Sequence, residues 1–515
     1  MKKSAIIRKT FSICPVCLKK IDAEIVEEKG KIFLMKKCNH HGNFSAYHWQ
    51  SPNIFNWVEK CDWLKNPELD WNERTNDSCS LNCGLERARA GLCSEHASKT
   101  VIAVIDVTDK CDLKCPVCFA GAPSNSEVRD PSRKEIFRML RFLKTLEPPP
   151  PVVLLSGGEP LVRGDLAEII KMAHDLKFMI ILATNGLRIS ENPKLAQELK
   201  QAGLNIVYLQ FDGVTNLPYE KLRGTSLLKE KLKVVEICRG VDLEVILVPT
   251  LVRGINDAEI GGIIRFAADN TDIIRGVVFQ PISFNGRNSL SAERNNLVMS
   301  NFAEETEKQT HREISATDLF PIHVMVPPVR VMSRFMKKPW PLFTTSSHCG
   351  ISNWVLVSNE PDKTLTPINR LLKFETFISQ LNSIADDAER KKIGKIGIYI
   401  RLTIAMLRSI NWRETQARVG LLTTIKTIFG MHVSPSYASL ARIRKRIFLV
   451  GCMAFMDQFG FDTERVRKCV IHYITPDLQL VPFCVFNNIY RTRKVKNVEA
   501  RRLRELPSER ALHVV

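Results

Sequence analysis

Short apolar runs separated by helix-like stretches fill the middle of the chain, and this alternation restricts the fold more than any other feature. VIAVIDV, VVLLS, FMIILAT, NIVYLQF, LEVILVP and GVVFQ read as buried strands, while Ser132–Leu146, Asp165–Leu176 and Pro193–Ala202 between them read as helices. Strands that are apolar on both faces and alternate with helices pair in parallel. Six such units between residues 101 and 283 predict an α/β fold, a partial (β/α)6 barrel. In barrels of this kind the chemistry sits at the C-terminal ends of the strands.

Directly after the first strand stands CDLKCPVCF, with Cys111, Cys115 and Cys118 in Cys-x3-Cys-x2-Cys spacing. Three thiolates on one loop can hold three irons of a [4Fe–4S] cluster and leave the fourth open, with a zinc knuckle as the alternative. The second strand ends in Gly157, Gly158, Glu159 and Pro160, where two glycines let the backbone come close to a ligand. Thr184, Asn185, Gln210, Asp212, Thr250 and Gln280 mark later strand ends and line the same expected face, although each alone fits a turn or cap.

Two further cysteine groups flank this region. CPVC and CNHHG supply Cys14, Cys17, Cys38 and His41, a rubredoxin- or zinc-ribbon-like site for a mononuclear iron or zinc, with His40 or Cys61 as substitute fourth ligands. Towards the other end, Asp462 is placed to cap a short helix, and VIHYITPDLQLVPF predicts a hairpin turning at Pro476–Asp477. That hairpin sets Cys469 and Cys484 together at its open end. With Cys452 and Cys349 they make a candidate cluster site, against the alternative of buried thiols.

CDLKCPVCF with LLSGGEP resembles the radical S-adenosylmethionine (SAM) enzymes over residues 101–285. The resemblance implies that Cys111, Cys115 and Cys118 ligate a catalytic [4Fe–4S] cluster and that Phe119 belongs to the motif. It also implies that SAM binds the open iron with Gly157–Glu159 at its amino end, and is cleaved to a 5′-deoxyadenosyl radical that attacks inert C–H bonds. Across nearly the full chain, CPVC…CNHHGNF, CSLNC, GLCSEH and FMDQFGFDTERVRKCVIHYITPD are similar to one subgroup, the archaeal tetraether lipid synthases and related pterin-methylating enzymes. In that subgroup, cysteines before the barrel hold an auxiliary cluster, so one or two auxiliary [4Fe–4S] clusters are expected. This chain departs there: ERARAGL separates Cys83 from Cys93, and Val101 stands where the pattern has cysteine. Cys79, Cys83 and Cys93 remain, with Cys61 as a candidate fourth ligand.

Composition constrains partners. The net charge of +19 calls for an anionic one, and residues 391–450 hold twelve Lys or Arg against one acid, Glu414. KIGKIGIYIRLTIAMLRSINW puts Ile396, Ile400, Ile404 and Leu407 on one helical face beside Lys395, Arg401 and Arg408, which suits peripheral contact with an anionic membrane, or else a packed helix with a solvated basic side. There is no apolar run of spanning length and no adequate signal-peptide core, and an odd cysteine count of 15 argues against a disulfide framework, so a cytoplasmic protein, peripheral to the membrane at most, is expected. The expected regions are a metal module at 1–75, a cluster connector at 76–100, the barrel at 101–290, an α+β cluster-binding region at 291–490 and a basic tail at 491–515. The resemblance favours C–C coupling of lipid tails, with methylation of a pterin precursor as the alternative and an external electron donor for either. A metal-stapled nucleic-acid-binding protein fits the charge but not the barrel motifs.

Overall fold

The computed structural model describes residues 5–61, 91–93, 96–122, 130–358, 362–418 and 445–491. Four antiparallel strands come first: β1 (Ala5–Ile13), β2 (Lys20–Glu28), β3 (Lys31–Cys38) and β4 (Gly42–Trp49), paired in that order. The two-residue period of a strand turns Ile32, Leu34, Lys36 and Cys38 of β3 inward. Lys36 on that face is satisfied by Ser12 Oγ at 3.0 Å and the Gln458 carbonyl at 2.7 Å. Arg8 and Thr10 of β1 bond the Asp462 carboxylate at 2.9 and 2.7 Å, so the ribbon is docked on the C-terminal region.

The barrel strands are β5 (Ile102–Thr108), β7 (Val152–Gly157), β8 (Met179–Thr184), β9 (Ile206–Gln210), β10 (Glu244–Val248) and β12 (Ile274–Pro281), parallel and in sequential order. Each is buried by outer helices on one side and the barrel interior on the other. The expected helices form at Arg133–Lys144, Leu166–Asp175 and Lys194–Ala202. Ser132 and Glu135 make a reciprocal capping box at the start of the first, which buries Ile136, Met139, Leu140 and Leu143 on one stripe. The short strand β6 (Val117–Cys118) pairs with β13 (Arg287–Asn288) above the barrel mouth, and β11 (Thr250–Leu251) with β12.

The C-terminal third extends both edges of the same sheet. On one side β17 (Ile447–Met453) runs parallel to β12, followed by antiparallel β15 (Gly350–Val357) with β14 (Phe320–Pro321) and β16 (Leu365–Pro367). On the other, β18 (Ile471–Ile474) runs parallel to β5 and turns back as β19 (Leu480–Pro482), the predicted hairpin. The predicted cap is present, with Asp462 accepting from the Glu464 amide before helix Thr463–Arg467. Residues 290–345 contain helices Met299–Gln309 and Val326–Met336. Helix Phe374–Glu389 follows, and helices Lys395–Ser409 and Trp412–Arg418 form the described start of the basic region. Among the described residues no helix is long and apolar enough to cross a membrane.

Candidate functional site

At the C-terminal ends of β5 and β7 two loops lie backbone against backbone. Gly158 donates to the Thr108 carbonyl and Glu159 to the Lys110 carbonyl, both at 2.8 Å. A Cβ on Gly157 would stand 2.0 Å from Thr108 O, and one on Gly158 would stand 2.1 Å from Lys110 O. These glycines are therefore required by the loop that carries Cys111: the close approach they permit here is to protein backbone, where the sequence suggested a ligand.

Glu159 is buried behind this junction. Its carboxylate accepts from Thr184 Oγ1 (2.7 Å), the Asn185 amide (2.7 Å) and the Leu161 amide (2.9 Å). Burial pushes its carboxyl up to about 7, against the pull of those hydrogen bonds. Asn185 Nδ2 reaches Asp112 at 2.7 Å, one residue past Cys111. Glu159 thus works as a clamp between strand ends. Pro160 opens the short 3-10 turn that follows it.

Three basic residues not singled out from sequence complete the frame. Arg223 grips Asp212 with two bonds of 2.7 and 2.8 Å, and also donates to the Val117 carbonyl (3.0 Å) and Thr250 Oγ1 (2.9 Å). The nearby Cys115 and Cys118 help to hold it in its charged form, and its charge in turn works against the burial that raises the Cys115 thiol. Arg287 donates to the Cys115 carbonyl at 2.7 Å. Lys231, wholly buried, bonds Gln210 Oε1 at 2.9 Å and the Asn185 carbonyl, and burial lowers its pKa to about 8. Arg223 occupies the last turn of helix Leu217–Arg223, where a basic residue is ordinary, so its sequence signal was that of a helix end.

The donor chemistry fits an iron–sulfur cluster. Cys111 and Cys115 lie on the loop after β5 and Cys118 ends the short strand β6 that continues it, and a fixed guanidinium offsets the charge that ligating thiolates bring. In the protein alone, burial pushes the Cys111 thiol up to about 12 and raises that of Cys115. Phe119 stacks on Phe483 at 5.5 Å and tilts against Phe455 at 6.0 Å, tying the loop to the C-terminal third.

In the ribbon, Cys14, Cys17, Cys38 and His41 place their ligand atoms all within 4.8 Å of one another, a spacing suited to one ion. His41 Nδ1 lies 3.6 and 3.4 Å from Cys14 and Cys38, so it fills the fourth place that His40 and Cys61 were candidates for. Cys61 packs instead in an apolar cluster with Phe320 and Val331, whereas Cys93 borders the cluster holding Tyr473 and Phe483. Cys79 and Cys83 lie outside the described residues.

The C-terminal set is divided. Cys349 and Cys484 act on the buried Arg465 guanidinium, and both act on Cys469. Cys452 corrects the expectation: strand alternation puts it on the same face as Phe448 and Val450, in the apolar core opposite Ile351. Above these residues, a cavity of about 690 Å³ opens between β4, the end of β12 and the end of β17. Tyr47, Trp49, Phe284, Phe455 and Phe459 are among its walls, with Asp457 and Arg465 as charged members. His48 Nε2 and Arg465 Nε are buried there without a hydrogen-bond partner.

The chain is similar to known proteins over most of its length. Residues 105–267 match the radical SAM superfamily, and residues 6–50 match the HMPTM N-terminal zinc ribbon domain. The chain is 37% identical over 487 residues, 94% of each chain, to the 7,8-dihydro-6-hydroxymethylpterin dimethyltransferase of Methanocaldococcus jannaschii. It is 33% identical over 171 residues to a probable GTP 3′,8-cyclase of Pyrococcus abyssi, covering 33% of this chain and 54% of that one. Among solved structures, Streptococcus suis SuiB bound to S-adenosylmethionine aligns with a TM-score of 0.35 at 18% identity, over 42% of this chain and 49% of that one. The full-length relative's name carries the pterin alternative and not the coupling of lipid tails, so the order of the two expectations is reversed.

Proposed function

We propose, from the premise that this chain belongs to the radical SAM superfamily and within it to the family of the pterin dimethyltransferase, that it methylates a pterin precursor. The family uses a [4Fe–4S] cluster and SAM. In this reading Cys111, Cys115 and Cys118 hold the cluster, and the junction of Gly157–Glu159 with the cysteine loop borders SAM. Bound there, cluster and SAM supply the one-electron chemistry that activates inert C–H bonds.

The observation that carries the substrate reading is the aromatic-walled cavity. It meets the cysteine loop through the contact of Phe455 with Phe119. A flat heterocycle stacks on such walls, and its ring-edge donors and acceptors suit Asp457, His48 and Arg465, two of which carry buried polar atoms without a partner. The chain's own residues then divide the work. Arg223 and Arg287 hold the cysteine loop, Glu159 and Lys231 fix the strand ends, and strand β4 of the ribbon supplies one wall of the cavity. The ribbon ion, bound by Cys14, Cys17, Cys38 and His41, has a structural part in this scheme. An external reductant supplies the electron.

The test is anaerobic reconstitution with SAM, reductant, 7,8-dihydro-6-hydroxymethylpterin and a cell extract as methyl source, beside a parallel reaction in which a lipid extract replaces the pterin. Deoxyadenosine together with methylated pterin is the expected result. Deoxyadenosine without methylated pterin, accompanied by coupled lipid tails from a lipid extract, would overturn it.

A further inference from the structure

Helix Lys395–Ser409 is apolar on two opposite sides. Ile398 and Ala405 are buried, and Leu402 packs with them, against Phe320, Val331 and Leu381. At about 100° per residue, positions two apart lie on opposite faces. Ile396 (78% exposed), Ile400 (51%), Ile404 and Leu407 accordingly face outward. A surface helix needs only the inward stripe, so the outward one is surplus to folding. It does not stand alone. Lys395 Nζ sits 5.9 Å from the Phe335 ring, joining this face to the end of helix Val326–Met336, where Met336 is 59% exposed and Trp340 follows.

The rim of this face is cationic. Lys337, Lys338, Lys391, Lys395 and Arg408 are exposed around it, and helix Lys395–Ser409 contains no acidic residue. Of the four acids on the adjoining helix, Asp386, Asp387 and Glu389 are engaged by Arg330, Lys392 and Arg401, and Glu375 is exposed at its N-terminal end. Exposed aliphatic and aromatic side chains ringed by unneutralised lysines are complementary to a surface that is negative outside and apolar beneath, which a bilayer with anionic headgroups provides.

We infer that the joined outer faces of helices Val326–Met336 and Lys395–Ser409 dock the enzyme on an anionic membrane surface. The inference goes beyond the substrate reading and does not depend on it.

The experiment is sedimentation of the full-length protein with vesicles of phosphatidylcholine alone and of phosphatidylcholine mixed with phosphatidylglycerol. Binding is expected only to the mixed vesicles, weakening as salt shortens the reach of the lysines. A variant carrying Ile396→Asp and Ile400→Asp should bind at least about ten-fold more weakly. Its formation of deoxyadenosine from SAM should be unchanged, which shows that it has folded. Absence of binding to phosphatidylglycerol vesicles, or equal binding by the variant, would overturn the inference. So would a concentration-dependent dimer that the same variant dissolves, since the face would then belong to a second copy of the chain.

Discussion

Arg223→Met is the most demanding test of the frame beneath the cysteine loop. Asp212 is wholly buried, and Arg223 is its counter-ion through two bonds of 2.7 and 2.8 Å. Removing one partner of a buried ion pair costs about 3–5 kcal/mol, because the remaining charge keeps its desolvation penalty. The Val117 carbonyl and Thr250 Oγ1 lose a donor each, about 1 kcal/mol apiece, while the Thr250 amide still reaches Asp212 at 3.0 Å and limits the total. Urea unfolding of the single variant should therefore show a loss of about 3–5 kcal/mol. Iron retained by Cys111, Cys115 and Cys118 should fall with it, since the guanidinium beside two of those thiols is gone. Adding Asp212→Asn should recover about 2 kcal/mol, as the orphaned charge is removed with its partner. Arg223→Lys should fall between, keeping the charge without the fork. A loss below about 0.5 kcal/mol in Arg223→Met, or a double variant no more stable than the single one, would refute the assignment.

Three further outcomes follow from other parts of the site. Because burial raises the Glu159 carboxyl from 4.5 to about 7, the folded protein keeps a proton that the unfolded chain has lost. Its contribution is present below pH 4.5 and falls away by about 3 kcal/mol as pH rises to 7. Melting curves across that window should show the decline in the wild type and a flatter profile in Glu159→Gln. Gly158→Ala drives a Cβ to within 2.1 Å of Lys110 O, so the two loops must part; SAM binding by calorimetry should weaken at least ten-fold, at a stability cost of about 1–3 kcal/mol. His41→Ala should remove the ribbon ion, seen by metal analysis, while iron held by the barrel cysteines stays unchanged.

How far the sequence reached is clearest at particular residues. The ribbon ligands were legible because two short knuckles fix their own geometry: Cys14, Cys17, Cys38 and His41 converge with little help from elsewhere. The clustering of Glu159, Thr184 and Asn185 was legible because each ends a strand and parallel pairing aligns those ends. Their roles were not, since whether a strand-end carboxylate faces ligand or protein depends on which loop packs behind it. Cys452 illustrates the same limit. Its spacing from Cys469 and Cys484 suggested a shared site, yet the alternation of β17 sent its thiol into the core.

By itself the sequence determined the elements and their order: strands of period two, helices with caps and apolar stripes, a hairpin, and cysteine loops at strand ends. These are local consequences of backbone geometry and side-chain shape, and they are written in adjacent residues. Only the tertiary structure decided that the C-terminal third adds strands to both edges of the barrel, that Arg223 stands beside thiols more than a hundred positions away, and that the ribbon supplies one wall of the cavity. Such contacts arise from burying apolar faces and pairing buried charges across long stretches of chain, and no short stretch of sequence carries that information.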